Sequence, residues 1–179
     1  LAAVERITSP EGLGMSPRRI TLSTVGLAKL MKKLADDEVK FNLALSLHSA
    51  IDEVRSSIMN INKANPVAEL AAAVEYWYAK TGRKLTYEYV VWKNVNDKPE
   101  DIAALVAFCR KAPCKVNLIE YNPITEDGYQ QADSSVVDEY VNRLNKAGIT
   151  ATIRKSRGKD IDAACGQLAN KNELQLIKT

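Results

Sequence analysis

The chain of 179 residues holds one histidine, three cysteines and two phenylalanines. Each scarcity closes off a class of protein. Three cysteines at irregular spacing do not make a paired disulfide framework, and they point to a reducing compartment, the cytoplasm. The single histidine, His48, leaves no cluster with zinc-ligand spacing. The separation of Cys109 and Cys114 matches no zinc pattern either. No run of eighteen apolar residues is present, so no transmembrane helix is expected, and no signal peptide is evident. A Walker loop, a GxGxxG turn and a GxSxG elbow are all missing, which removes the common nucleotide-binding and hydrolase signatures. There is no internal repeat and no low-complexity tract.

The remaining composition is that of a globular protein, with 46% apolar and 26% charged residues. The net charge of +3 permits an anionic partner without demanding one. The length suggests one domain over residues 1–179. The opening Leu1-Ala2-Ala3-Val4-Glu5 reads like the middle of a helix, which suggests a piece cut from a longer protein.

Strand and helix signals alternate along the chain. Strands are expected at Arg19–Ser23, Phe41–Leu47, Leu85–Val91, Lys115–Ile119 and Ala151–Arg154. Leu27, Leu30, Met31 and Leu34 recur at helical spacing. Val67, Leu70, Ala71, Val74 and Tyr78 mark a helix opened at Asn65-Pro66 and closed at Gly82. Ile102, Leu105, Val106 and Cys109 mark the next. Val136, Val137, Tyr140, Val141 and Leu144 mark another, stopped by Gly148. A short helix is expected near Ile161–Leu168. This alternation predicts parallel strands joined by right-handed crossovers, in either an open doubly wound sheet or part of a barrel.

The faces of the strands separate the two. In the second strand, Phe41, Leu43, Leu45 and Leu47 share one side, and Asn42, Ala44, Ser46 and His48 share the other. Thr86 and Glu88 pair off in the same way. A strand covered by helices on both sides is apolar throughout. One polar side per strand favours a partial barrel with a polar lumen that faces a ligand.

Polar groups gather at the carboxyl ends of the strands: Ser23-Thr24-Val25-Gly26, Ser46-Leu47-His48 and Asn122-Pro123. Ligands of parallel α/β folds bind at that edge. Taken singly, Ser-Thr reads as a helix cap, His48 as a hydrogen-bonded structural residue and Asn-Pro as a turn. Taken together, they suggest a site. Arg154, Lys155, Arg157 and Lys159 form a basic run that suits phosphates or merely a solvated face. Cys165 follows it, either as a thiol activated by nearby positive charge or as a small buried hydrophobe.

Several blocks then carry a resemblance. They are Ser16–Gly26, Leu43–Ala50, Met59–Lys63, Tyr87–Val90, Pro113–Pro123 and, most specific, Ile153–Leu168. In these blocks, and in their order over essentially the whole chain, the sequence resembles the radical S-adenosylmethionine (SAM) RNA adenine-C2 methyltransferases of the RlmN and Cfr group, with the RlmN branch nearer. The resemblance implies an α/β fold, a parallel-stranded partial (β/α) TIM barrel of the radical-SAM type, truncated at its N-terminal side to about five strands. It implies SAM as cofactor, and a [4Fe–4S] cluster in a full-length parent. It implies methylation of C2 of an adenosine in 23S rRNA, at adenosine 2503, and also at adenosine 37 of tRNA. Ser23, Ser46, Leu47, His48 and Asn122 match positions that line SAM in the family. Cys165 matches the cysteine that takes a methyl group from SAM and passes it to the adenine. Arg154, Lys155, Arg157 and Lys159 become RNA contacts.

The departures are as informative. The cluster motif C-x3-C-x2-C and the Gly-Glu-Pro strand of the family are absent from the chain. This chain alone is therefore expected to be inactive, and to self-associate through an exposed strand edge. Two other readings stand beside this one: a radical-SAM activating enzyme for another protein, and a cluster-free RNA-binding module on a decayed barrel.

Overall fold

A computed structural model describes residues 1–122 and 128–154. Five strands form one sheet in the order β1-β2-β3-β4-β5: β1 Thr21–Thr24, β2 Asn42–Ser46, β3 Leu85–Val90, β4 Cys114–Ile119 and β5 Thr150–Arg154. Every neighbouring pair is parallel. The helices are α1 Ala2–Thr8, α2 Ala28–Asp36, α3 Asp52–Ile58, α4 Val67–Thr81, α5 Pro99–Cys109 and α6 Ser134–Lys146. Apart from α1, each lies between two consecutive strands, as parallel pairing requires.

The alternation of side chains divides the sheet into two faces. Leu43, Leu45 and Leu47 of the β2 segment, Leu85, Tyr87 and Tyr89 of β3, and Val116 and Leu118 of β4 point toward the helices and are buried in one core. The core continues into Met31 of α2, Leu70, Val74 and Trp77 of α4, Leu105 and Phe108 of α5, and Tyr140 and Leu144 of α6. Residues between these on each strand face the other way, and that face is polar. The partial barrel inferred from strand polarity is the observed architecture, with β1 and β5 as its two edges.

Local differences from expectation have local causes. β1 begins at Thr21 rather than Arg19, because Pro17–Arg19 close a 3₁₀ turn whose Pro17 carbonyl accepts from the N–H of Ile20. Pro17 fits the first position of such a turn, where its missing N–H costs nothing. The helix α3 has no counterpart among the sequence signals. Its apolar residues are too few to show a stripe, and the side chain it buries is Arg55. Helix α4 opens at Pro66 and ends on Gly82 in the left-handed region (φ 63°), as the sequence predicts. The Ser23-Thr24 pair does not cap α2. Thr24 Oγ1 accepts from the N–H of Gly26 at 3.1 Å, and the N–H of Ala28 donates instead to Asn65 Oδ1 at 3.0 Å. The helix expected near Ile161–Leu168 lies outside the described residues.

Candidate functional site

The polar face of the sheet opens into a cavity of about 640 Å³ at the carboxyl ends of the strands. Register fixes which side chains meet there. Ser46, Glu88, Asn117 and Thr152 are laterally paired across β2 to β5 and form one inward-facing rung. Ser23 lies opposite Ala44, nearer the amino ends of the strands. His48 follows β2, and Asn122 follows β4. Ser23, Ser46, His48 and Asn122 all line this cavity, so the structure brings together four of the five residues proposed for the cofactor. Leu47 is the exception. Its side chain is buried among the helices, so only its main chain reaches the rim. Strand alternation turns the Leu47 side chain away from the cavity, between Ser46 and His48, which face it. Arg154 also lines the cavity. Lys155, Arg157, Lys159 and Cys165 lie outside the described residues.

His48 sits at a sharp turn. Its backbone is in the left-handed region (φ 57°), and the N–H of Ser49 donates to the carbonyl of Leu47 at 2.7 Å. That conformation is uncommon for a residue with a Cβ, and here the surroundings over-determine it. Asn96 donates from Nδ2 to the His48 carbonyl at 2.7 Å and to the Val90 carbonyl at 2.8 Å. Asn96 Oδ1 accepts from the N–H of Trp92 at 2.7 Å. The imidazole accepts at Nδ1 from the N–H of Val90 at 3.1 Å and meets the Trp92 ring edge-on, with centroids 5.6 Å apart. Burial, aided by the positive charge of Arg55, lowers the pKa of His48 from 6.5 to about 4. The ring is thus neutral at physiological pH. Because Nδ1 accepts, its proton is on Nε2, making that atom a donor.

Arg55 is the hub behind this rim. It is fully buried. Nε donates to the Leu47 carbonyl at 3.0 Å. Nη2 donates to the carbonyls of Val25 at 2.8 Å and Ser46 at 3.3 Å. Nη1 donates to Asn62 Oδ1 at 2.8 Å. One guanidinium therefore ties together the carbonyls that leave β1 and β2. Asn62 in turn donates to the Asp52 side chain at 2.8 Å, and the same oxygen accepts the N–H of Val67 at 2.8 Å. A fork of five donors does this where a single ammonium cannot.

No motif in the sequence singles out Arg55, Asn96 or Trp92. Arg55 stands among Asp52, Glu53 and Ser56, which reads as a solvated helix, and Asn96 stands in an Asn-Asp-Lys-Pro loop that reads as a turn. Only spatial neighbours reveal either one.

The described cysteines do not fit an iron–sulfur cluster. Cys109 and Cys114 are buried at the α5–β4 connection, beside the amino end of the sheet and away from the rim. No three His, Cys, Asp or Glu side chains among the described residues are grouped to hold a metal ion. No helix among them is long and apolar enough to cross a membrane.

A five-stranded parallel sheet in sequential order, helices on one side and a polar cavity at its carboxyl ends, defines a partial barrel of the radical-SAM type. The same fold recurs in a domain of pyruvate-formate lyase-activating enzyme from Bacteroides vulgatus, at 18% identity and TM-score 0.60 over 75% of this chain and 80% of that one. Much nearer is a radical SAM methyltransferase from Sphaerobacter thermophilus. It is 38% identical, with TM-score 0.86 over 90% of this chain and 47% of that one. Among curated proteins, the chain is 61% identical over 172 residues to the "Probable dual-specificity RNA methyltransferase RlmN" of Christiangramia forsetii, which covers 96% of the chain and 49% of the relative. The protein of that name in Flavobacterium psychrophilum is 60% identical over 171 residues, with the same shares. No protein-family model matches the chain. Over nearly all its length, the chain is similar in sequence to proteins named RlmN RNA methyltransferase, and it spans about half the length of the curated relatives it matches.

Proposed function

We propose that the cavity binds the adenosyl part of SAM, and that the protein acts in methylation of C2 of an adenosine in RNA, in 23S rRNA and in tRNA. The observation that carries this reading is the convergence of Ser23, Ser46, His48 and Asn122 on one cavity, from three separate strand ends. The high identity to RNA methyltransferases supplies the reaction class.

The chemistry of the target explains why such a site is needed. Adenine C2 is electrophilic and its hydrogen is not acidic, so direct displacement at a methyl sulfonium has no nucleophile there. SAM bound beside a reduced [4Fe–4S] cluster supplies one-electron chemistry, which removes that barrier. The residues of this chain do the holding. The hydroxyls of Ser23 and Ser46 and the Nε2–H of neutral His48 offer hydrogen bonds to an uncharged nucleoside. Trp92, packed against His48 and Tyr121, gives the cavity an aromatic wall. Cys165 is the methyl carrier, its sulfur supplying the nucleophile that C2 lacks. Arg154, Lys155, Arg157 and Lys159 sit just before it in sequence and serve the RNA backbone.

The test is a chimera in which this chain replaces the matching half of the Flavobacterium psychrophilum relative, reconstituted anaerobically. Mass spectrometry of 23S rRNA and tRNA then reads C2 methylation. We expect methylation by the chimera, and none when it carries Cys165→Ala, with SAM binding retained. Methyl transfer by the Cys165→Ala chimera would refute the assigned role. The chain by itself, given iron, sulfide and SAM, is expected to form no stoichiometric cluster and no 5′-deoxyadenosine.

A further inference from the structure

The cavity contains a carboxylate that the reading above leaves without a task. Glu88 lies on β3, level with Ser46 on one side and Asn117 on the other. A relay of side chains orients it. Thr152 donates from Oγ1 to Asn117 Oδ1 at 2.8 Å, and Asn117 donates from Nδ2 to Glu88 Oε1 at 2.8 Å. These bonds fix one carboxylate oxygen. The other, Oε2, is buried and accepts no hydrogen bond among the described residues. A buried acceptor left unmet is costly, and native structures keep one only where something completes it.

The neighbours of Oε2 narrow what that something is. Nη1 of Arg154 stands 3.9 Å away, which is ion-pair range but too far for a hydrogen bond. Opposite charge is thus already at hand, and the missing element is a donor rather than a cation. A phosphate or other anion is disfavoured next to a carboxylate. The rest of the rung, Ser46, Asn117 and Thr152, is hydroxyl and amide. A carboxylate fixed among such groups is a set that receives sugar hydroxyls, as an acidic residue does for ribose in dinucleotide-binding folds.

We infer that Glu88 is a ribose-reading residue: its Oε2 accepts a hydrogen bond from a ribose hydroxyl of the nucleoside held in the cavity. The inference rests on the reading of the cavity as an adenosyl site and adds the group that selects the sugar. The ribose belongs either to SAM or to the target nucleotide of the RNA, and the arms of the test separate the two.

The experiment uses uniformly ¹⁵N-labelled chain and follows the indole N–H signal of Trp92, which lines the same cavity. Wild type, Glu88→Gln and Asn117→Ala are titrated with SAM, with a short adenosine-containing RNA, and with adenosine, 2′-deoxyadenosine, 3′-deoxyadenosine and purine riboside. Glu88→Gln preserves size, and unchanged spectra outside the cavity confirm its fold. In wild type, removing one ribose hydroxyl is expected to weaken binding about ten-fold, the scale of a hydrogen bond to a charged group. Glu88→Gln is expected to weaken adenosine by a similar factor, and to bind adenosine and the sensitive deoxy analogue alike. Asn117→Ala, which leaves the charge but frees Oε1, is expected to give a smaller loss. A loss shown with SAM assigns the ribose to SAM, and a loss confined to the RNA assigns it to the target nucleotide. Equal affinity of wild type and Glu88→Gln for every nucleoside would overturn the inference while leaving the SAM site intact. So would a loss that follows the exocyclic amine missing from purine riboside instead of a hydroxyl. Glu88-dependent binding of adenosine without any binding of SAM would sink the SAM reading and leave Glu88 in its role.

Discussion

The backbone N–H of Val90 donates to Nδ1 of His48 at 3.1 Å, and the imidazole can accept that bond only while Nδ1 is unprotonated. Burial reinforces this, lowering the pKa of His48 to about 4. The unfolded chain has its histidine near 6.5, so it takes up a proton before the native state does. Stability is therefore level above about pH 6.5 and falls as the pH drops toward 4, by on the order of 3 kcal/mol. His48 is the one histidine in the chain, so its ring resonance needs no assignment. An NMR titration is expected to show a midpoint near 4, with a matching decline in denaturant resistance. A midpoint at the ordinary 6.5 would contradict the geometry.

Arg55 gives a second expectation. Replacing it with Met keeps much of the volume but removes the donors to Val25, Ser46, Leu47 and Asn62. The carbonyls of Val25 and Ser46 and Asn62 Oδ1 each lose the bond from Arg55, while the Leu47 carbonyl keeps the one from the N–H of Ser49, a change that costs about 3–5 kcal/mol. Arg55→Lys keeps the charge and recovers only part of the loss, because one ammonium does not span three carbonyl directions. Urea unfolding with unchanged slope measures both. Equal stability of the Lys variant and wild type would show that charge, not the planar fork, is what the rim needs.

These two residues mark the limit of what the sequence reveals. Alternation in Phe41–His48 is enough to separate a helix-facing side from a ligand-facing side, because strand geometry leaves no third option. Ser23, Ser46, His48 and Asn122 are legible for the same reason: each sits where a strand ends. Leu47, between Ser46 and His48, falls on the helix-facing side by that same alternation. Arg55 and Asn96 are not legible at all. Most of their partners are main-chain carbonyls and N–H groups that no side-chain pattern encodes, such as the Arg55 bond to Val25, thirty residues distant in sequence.

Both sheet edges expose apolar side chains, Ile153 on β5 and, at β1, two in close succession. Leu22 and Val25 are 37% and 44% exposed, and β1 has no strand partner beyond β2 among the described residues. An open edge with apolar flanks pairs with another chain. Sedimentation of the chain is expected to show concentration-dependent dimers, shifted to monomer by Leu22→Lys. A monomer at every concentration would show that the edge is protected.

Gly26 joins the rim to its hub, and its substitution is the most local test of the arrangement. The residue has φ +96°, a value that side chains with a Cβ rarely adopt. A Cβ there would lie 2.9 Å from Leu70 Cδ2, 3.1 Å from Arg55 Nη2 and 3.2 Å from Leu45 Cδ1. Two effects add in Gly26→Ala. The backbone strain alone is worth about 1–3 kcal/mol. The methyl group also presses on the guanidinium that holds the Val25, Ser46 and Leu47 carbonyls, and the fully buried Arg55 has little room to retreat. The expected result is a loss of roughly 2–4 kcal/mol, together with a shift of the His48 ring resonance, since Arg55 and His48 share the Leu47 turn. In Gly26→Ala combined with Arg55→Met, the two losses should add to less than their sum, because the clash vanishes with its partner. Full additivity in that double-mutant cycle would mean that Gly26 serves its own backbone conformation and not the hub.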